Sequence, residues 1–153
     1  MINKLRNQTK GFTIIEVLIV LAIAGLILLI VFLAVPALQR NSRNTSYRSE
    51  AAQLLTAATE NSNNKNGALP VAADSATIVG LTKNKNITTL TVEAEAGTSV
   101  PAADTFNAAV LRTGAKCNTA NPVDTDFGAP RGLAMLYNVE NGTGNSTRVC
   151  VAT

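Results

Sequence analysis

Glu16 is the residue of this 153-residue chain whose chemistry most needs an explanation. It stands near the head of "KGFTIIEVLIVLAIAGLILLIVFLAVPAL", and no charged side chain occurs again until Arg40. A carboxylate in an apolar stretch of bilayer length costs about 2.5–3.5 kcal/mol on insertion scales, so it is normally met by a partner or reaches the headgroups. Cys117 and Cys150 can form a disulfide or serve as two unpaired small hydrophobes. Asp124 and Asp126, in "NPVDTDFG", offer the oxygen ligands that calcium takes. The twelve-position loop with its terminal glutamate is missing, however, and a solvated Asp-rich turn is the better reading. Histidine is absent and the cysteines do not cluster, which excludes the usual zinc sites. No nucleophile motif or set of converging acids stands out, so the residues assign no catalytic side chain, no metal and no cofactor.

The element that must carry Glu16 is a helix. Residues 17–39 are uncharged, and about 20 helical residues cross the hydrocarbon layer. Lys4, Arg6 and Lys10 precede the run, whereas residues 12–153 hold ten basic and ten acidic side chains. The net charge of +3 is therefore N-terminal. That distribution argues against nucleic-acid binding, and it keeps the N-terminus in the cytoplasm with residues 41–153 outside. Both cysteines then lie in an oxidising compartment, which favours the disulfide; closing that loop stabilises by about 4 kcal/mol on the chain-entropy model. "MINKLRNQTKG" has the character of the start of a signal sequence, but the apolar run exceeds the roughly 7–15 residues of a cleaved one. The reading therefore keeps the segment attached instead of cutting it near "AVPAL".

Beyond the apolar run the pattern changes. Pro36 lacks an amide hydrogen and crowds the carbonyl of Phe32, so a kink or loosening is expected there. Gly25 is a second soft point or a place of close packing against a neighbouring helix. In residues 40–66, Tyr47, Ala51, Leu54, Leu55 and Ala58 recur at helical spacing and leave the arginines and Glu50 on the other side. Asn, Gly67 and Pro70 in "NSNNKNGALP" end the helix. Residues 67–153 read as short strands between turns: Ala76–Val79, Ile87–Val92, Phe106–Leu111, Leu133–Val139 and Arg148–Val151. "LAMLYNVENGTGNSTRVCVAT" reads as an antiparallel hairpin whose second strand carries Cys150. The expected architecture is α+β, a long N-terminal helix packed on a small antiparallel sheet. Five Asn-x-Ser/Thr sequences, at Asn7, Asn44, Asn86, Asn141 and Asn145, match what chance gives in so Asn- and Thr-rich a chain.

"KGFTIIEVLIVLAIAGLI" resembles the N-terminus of type IV pilins and of the related type II secretion pseudopilins. The resemblance implies cleavage between Gly11 and Phe12, so that residues 1–11 are a basic leader with Lys10 at its flank. It also implies N-methylation of the new Phe12 amine, and a hydrophobic segment 12–39 that anchors the subunit in the membrane and later assembles it. Glu16 becomes the fifth residue of the mature chain. It is then spaced to meet the Phe12 amine of a neighbour, the two charges offsetting each other's desolvation. A protonated or snorkelling glutamate is the alternative. Gly25 matches a glycine often found in that helix, whereas the family's usual proline position is held by Leu33, with Pro36 three residues later. The family commonly has a C-terminal disulfide-bounded loop, which Cys117 and Cys150 resemble.

The function this implies is a structural subunit, not an enzyme. It polymerises into a helical homo-oligomeric filament, a pilus or fimbrium for adhesion, motility or DNA uptake. Its partners are a prepilin peptidase, an assembly platform and an ATPase. A pseudopilin of a secretion system is the second reading, and a membrane-anchored binding module that never assembles is the third.

Overall fold

The computed structural model describes residues 11–94, 99–102, 104–121, 124–143 and 145–153. They fall into two compact units divided after Gln39. Helix α1 (Ile14–Asn64) contributes to both. In the first unit its residues are apolar on every side, and an 18-residue window reaches a mean hydropathy of 3.4 with none of it buried. The large hydrophobic side chains from Phe12 to Leu38 are 39–89% exposed. A helix apolar all round suits a hydrocarbon environment, not the surface of a globular domain. Pro36 lies within the helix, and helical structure continues past it.

In the second unit α1 becomes one-sided. Tyr47, Ala51, Leu54, Leu55 and Ala58, the residues selected by the periodicity, are all buried, joined by Ala57 and Asn61. The stripe packs with Leu111, Leu133, Met135, Tyr137 and Val139 in one core, and the Tyr47 ring stacks on Phe106 with centroids 5.6 Å apart. Glu50, on the flank of the stripe, accepts the backbone N–H groups of Asn86 (2.9 Å) and Ile87 (2.8 Å) and the Asn86 side-chain amide (2.6 Å). The helix closes where Asn66 and Gly67 turn left-handed, at φ +57° and +84°, and the Gly67 N–H donates to the Ser62 carbonyl at 2.8 Å.

The segment after the helix differs from the strand expected at Ala76–Val79. Residues Ala72–Asp74 form a 3₁₀ turn that leads into helix α2 (Ser75–Leu81). Asp74 decides this: its carboxylate accepts the Val71 N–H at 2.9 Å and starts the turn, and only Ile78 is buried. That turn runs directly into α2, and this context overrides the β preference of Thr77, Ile78 and Val79.

The main sheet has the order β1 (Thr89–Glu93), β2 (Ala108–Thr113), β5 (Leu133–Glu140) and β6 (Ser146–Ala152). Its β2–β5 and β5–β6 pairs are antiparallel. The β1–β2 pair is parallel, with Thr89 opposite Ala108, so the sheet is antiparallel-rich and not wholly antiparallel. Residues 94–107 separate the two strands, enough chain to return β2 in the same direction. Strands β3 (Ala115–Cys117) and β4 (Thr125–Phe127) form a small second sheet, and neither was expected from the sequence. At three residues each they carry no readable alternation. Gly132 lets this layer approach, because a Cβ there would collide with the Ala115 carbonyl oxygen.

Leu54 is fully buried at the centre of the helix stripe. Leu54→Ala should therefore lower the unfolding free energy by about 2–5 kcal/mol, read from urea unfolding of the detergent-held chain by circular dichroism.

Candidate functional site

Gly11 and Phe12 precede the first helical residue, and both are exposed, Phe12 to 89%. A Cβ built on Gly11 has no neighbour within 4 Å, so nothing in the described chain demands a glycine there. The same holds for Gly25 in the interior of α1. A glycine costs a helix interior about 1 kcal/mol relative to alanine, and the chain's own packing gives no reason for that cost.

Glu16 lies in the first turn of α1 and its partner is Thr13. The Thr13 backbone N–H donates to Glu16 Oε2 at 2.8 Å and the Thr13 hydroxyl to the same oxygen at 2.7 Å. The Glu16 N–H donates back to Thr13 Oγ1 at 3.3 Å. This is a capping box: a threonine N-cap and a glutamate three residues on satisfy each other's first-turn donors. The carboxylate also sits at the positive end of the helix dipole. Thr13 was not singled out in the sequence, although the spacing Thr-Ile-Ile-Glu carries the signature. It supplies polar contacts for Glu16 from within one chain. Cleavage before Phe12 would leave all of these atoms in place, since they lie downstream of the Gly11–Phe12 bond.

In the second unit Cys117 and Cys150 form a disulfide with Cα atoms 5.7 Å apart, joining β3 to β6. The solvated-turn reading holds for Asp124, whose N–H donates to the Asn121 carbonyl at 3.0 Å and whose side chain is 49% exposed, but not for Asp126. Asp124 accepts from Arg112 Nη1 at 3.3 Å, Asp126 accepts from the Asn118 amide at 2.7 Å, and Asp126 lies within β4. Each carboxylate accepts from a neighbour through one oxygen, and no cluster of three or more metal-ligating side chains occurs among the described residues. Arg112 is buried. Besides Asp124 it donates to Thr125 Oγ1 at 2.5 Å and the Ser99 carbonyl at 3.1 Å, and it lies 5.8 Å from the Phe127 ring centre.

Two further ion pairs tie the ends of elements. Arg43 forks onto Glu140, donating from Nε at 2.5 Å and from Nη2 at 2.7 Å. The neighbouring Asn44 amide exchanges two bonds of 2.8 Å with the Glu140 backbone. Hydrogen bonding to Arg43 holds the Glu140 carboxyl below its ordinary range. The Lys65 ammonium on buried Asp74, followed by the Val71 N–H, does the same for Asp74.

Residues 6–32 match the family described as the prokaryotic N-terminal methylation motif, the leader signature of type IV pilins and pseudopilins. No curated protein and no solved structure matches the chain significantly. The motif supports the pilin or pseudopilin class and a structural subunit, and it implies processing by a prepilin peptidase followed by pilus or secretion assembly. With the apolar helix it fits a membrane-anchored precursor.

Two measurements follow from this geometry. Thr13→Val removes the capping hydroxyl and should accelerate amide hydrogen exchange at Ile14–Val17 by several-fold in detergent, with exchange at Leu54 unchanged. Asp74 and Glu140 have folded pKa values below their unfolded ones, so their contribution is present above the ordinary carboxylate pKa of about 4 and is lost as pH falls through the depressed values. The urea midpoint should therefore drop on acidification below that range. Lys65→Met and Arg43→Met should each flatten the drop.

Proposed function

We propose that this chain is the structural subunit of a type IV pilus, cut between Gly11 and Phe12, N-methylated at Phe12 and polymerised into a surface filament through residues 12–39. The observation that carries the reading is Glu16, the one charged side chain between Lys10 and Arg40, on an exposed apolar helix just downstream of that junction. After cleavage the Phe12 amine of one subunit and Glu16 of another supply opposite charges, and pairing them offsets the cost of holding either in apolar surroundings. Exposed apolar side chains along the rest of the helix then meet lipid before assembly and other copies after it. Open space around Gly25 supports close approach of a neighbouring helix there, and Pro36 supports local loosening of the helix. The assembly platform and ATPase are the partners this route requires, with adhesion, motility or DNA uptake as the filament's use. The pseudopilin reading shares everything up to residue 39, and the Cys117–Cys150 bridge favours the pilus.

Glu16→Ala removes a costly carboxylate, so membrane insertion should be unaffected or eased. Filament assembly should collapse, because breaking a buried pair costs about 3–5 kcal/mol. Glu16→Gln should be nearly as damaging. Sheared surface filaments counted against cleaved subunit in the membrane give the readout, and abundant filaments from Glu16→Ala would overturn the assembly role. Gly11→Val should leave the chain uncut, with Met1 still at the N-terminus of the membrane-held protein; normal mature protein from that variant would place the junction elsewhere.

A further inference from the structure

Two Asn-Gly pairs occur in the chain, Asn66-Gly67 and Asn141-Gly142, and the structure treats them in opposite ways. An asparagine before glycine can cyclise: the following backbone nitrogen attacks the side-chain carbonyl carbon, and glycine, with no Cβ, leaves that nitrogen accessible. At Asn66 the nucleophile is engaged, since the Gly67 N–H donates to the Ser62 carbonyl at 2.8 Å in the helix cap. At Asn141 the Gly142 N–H makes no hydrogen bond among the described residues, and Gly142 is exposed with nothing within 4 Å of a Cβ position.

The electrophile at Asn141 is also prepared. Its side-chain oxygen Oδ1 accepts three hydrogen bonds, from the Thr143 N–H at 3.0 Å, the Thr143 hydroxyl at 2.7 Å and the Asn145 N–H at 3.0 Å. The Asn145 carbonyl accepts the Asn141 N–H at 2.8 Å and fixes the backbone at the site. Attack on the side-chain carbon places negative charge on Oδ1, where the three donors converge, as in an oxyanion hole. The leaving nitrogen, Nδ2, donates to nothing among the described residues.

We propose that Asn141-Gly142 is a self-modification site, where the chain deamidates without an enzyme. The Gly142 nitrogen gives up its proton to solvent and bonds to the Asn141 side-chain carbon. Nδ2 takes a proton from solvent as its bond to that carbon breaks, it leaves as ammonia, and a succinimide ring remains. Water opens the ring at either carbonyl to give aspartate or isoaspartate, so one water enters and one ammonia leaves. No oxidant or reductant takes part. In the aspartate product the same three donors face a carboxylate and bond it more strongly than the amide. The outcome is one new negative charge at the residue that follows Glu140, the acceptor of Arg43, in the chain.

The test is timed incubation of the purified full chain in detergent at mildly alkaline pH, with peptide mapping by mass spectrometry and isoaspartyl-specific methylation. In the folded chain Asn141 should convert faster than Asn66, and in urea the two rates should converge. Thr143→Val should slow conversion at Asn141 by about three- to tenfold, less than the roughly 10²–10³ that a donor contributes in a water-excluded oxyanion hole. Gly142→Ala, which has open space for its methyl group, should slow it at least as much. Equal rates at the two asparagines in the folded chain would overturn the proposal. So would faster conversion in Thr143→Val, because the donors would then be shown to lock the amide and not to activate it.

Discussion

Burial of one stripe of α1 is the interaction on which the second unit depends. Ala51, Leu54 and Ala58 are fully buried, and the strands reach that core through Leu111 and Met135, also fully buried. Each large side chain of this kind contributes about 1.5–3 kcal/mol when removed from water. Small residues on the helix decide the distance: Ala51, Ala57 and Ala58 bring the backbone close enough for the longer side chains of the sheet to interdigitate across it. Helix and sheet are each incomplete alone. The stripe also explains why polar contacts cluster at its margins, where Glu50 receives the segment that leads into β1 and Arg43 with Asn44 receives the end of β5. Those contacts fix where strands begin and end once the stripe has fixed the layer.

What could be read from the sequence follows the strength of each physical signal. The apolar run and the stripe from Tyr47 to Ala58 are long and periodic, so they identified the membrane-length segment and the core face. The strands Leu133–Glu140 and Ser146–Ala152 enclose a turn rich in Asn and Gly, and that local pairing was legible. The failures are non-local. Whether β1 runs parallel or antiparallel to β2 depends on where β2 meets β5, information that no stretch of β1 contains. The strands at Ala115–Cys117 and Thr125–Phe127 exist because Arg112 and the glycine at 132 organise that layer. At Ala76–Val79 the 3₁₀ turn anchored by Asp74 runs straight into α2, and a short run of β-branched residues did not outweigh that context.

The candidate site divides in the same way. Glu16 could be found because a charge in an apolar run is conspicuous, and the cysteines because there are only two. Thr13 was missed because a hydroxyl before a hydrophobic run is ordinary, and its meaning appears only when paired with the glutamate three residues later. Of the two aspartates near Cys117 read as a solvated turn, Asp126 was misplaced because neither the short strand it lies in nor its partner Asn118 gave a sign in the sequence.

The capping box has one more consequence, which lies in how it shares out the carboxylate. Both Thr13 donors fall on Oε2, and Oε1 accepts no hydrogen bond among the described residues. One oxygen is held by the chain's own first turn while the other stays available to an incoming cation. Internal anchoring and the pairing proposed for this carboxylate therefore need not compete for the same lone pairs. The threonine acts as a hinge stop: it sets the orientation of the carboxylate and leaves the second oxygen open.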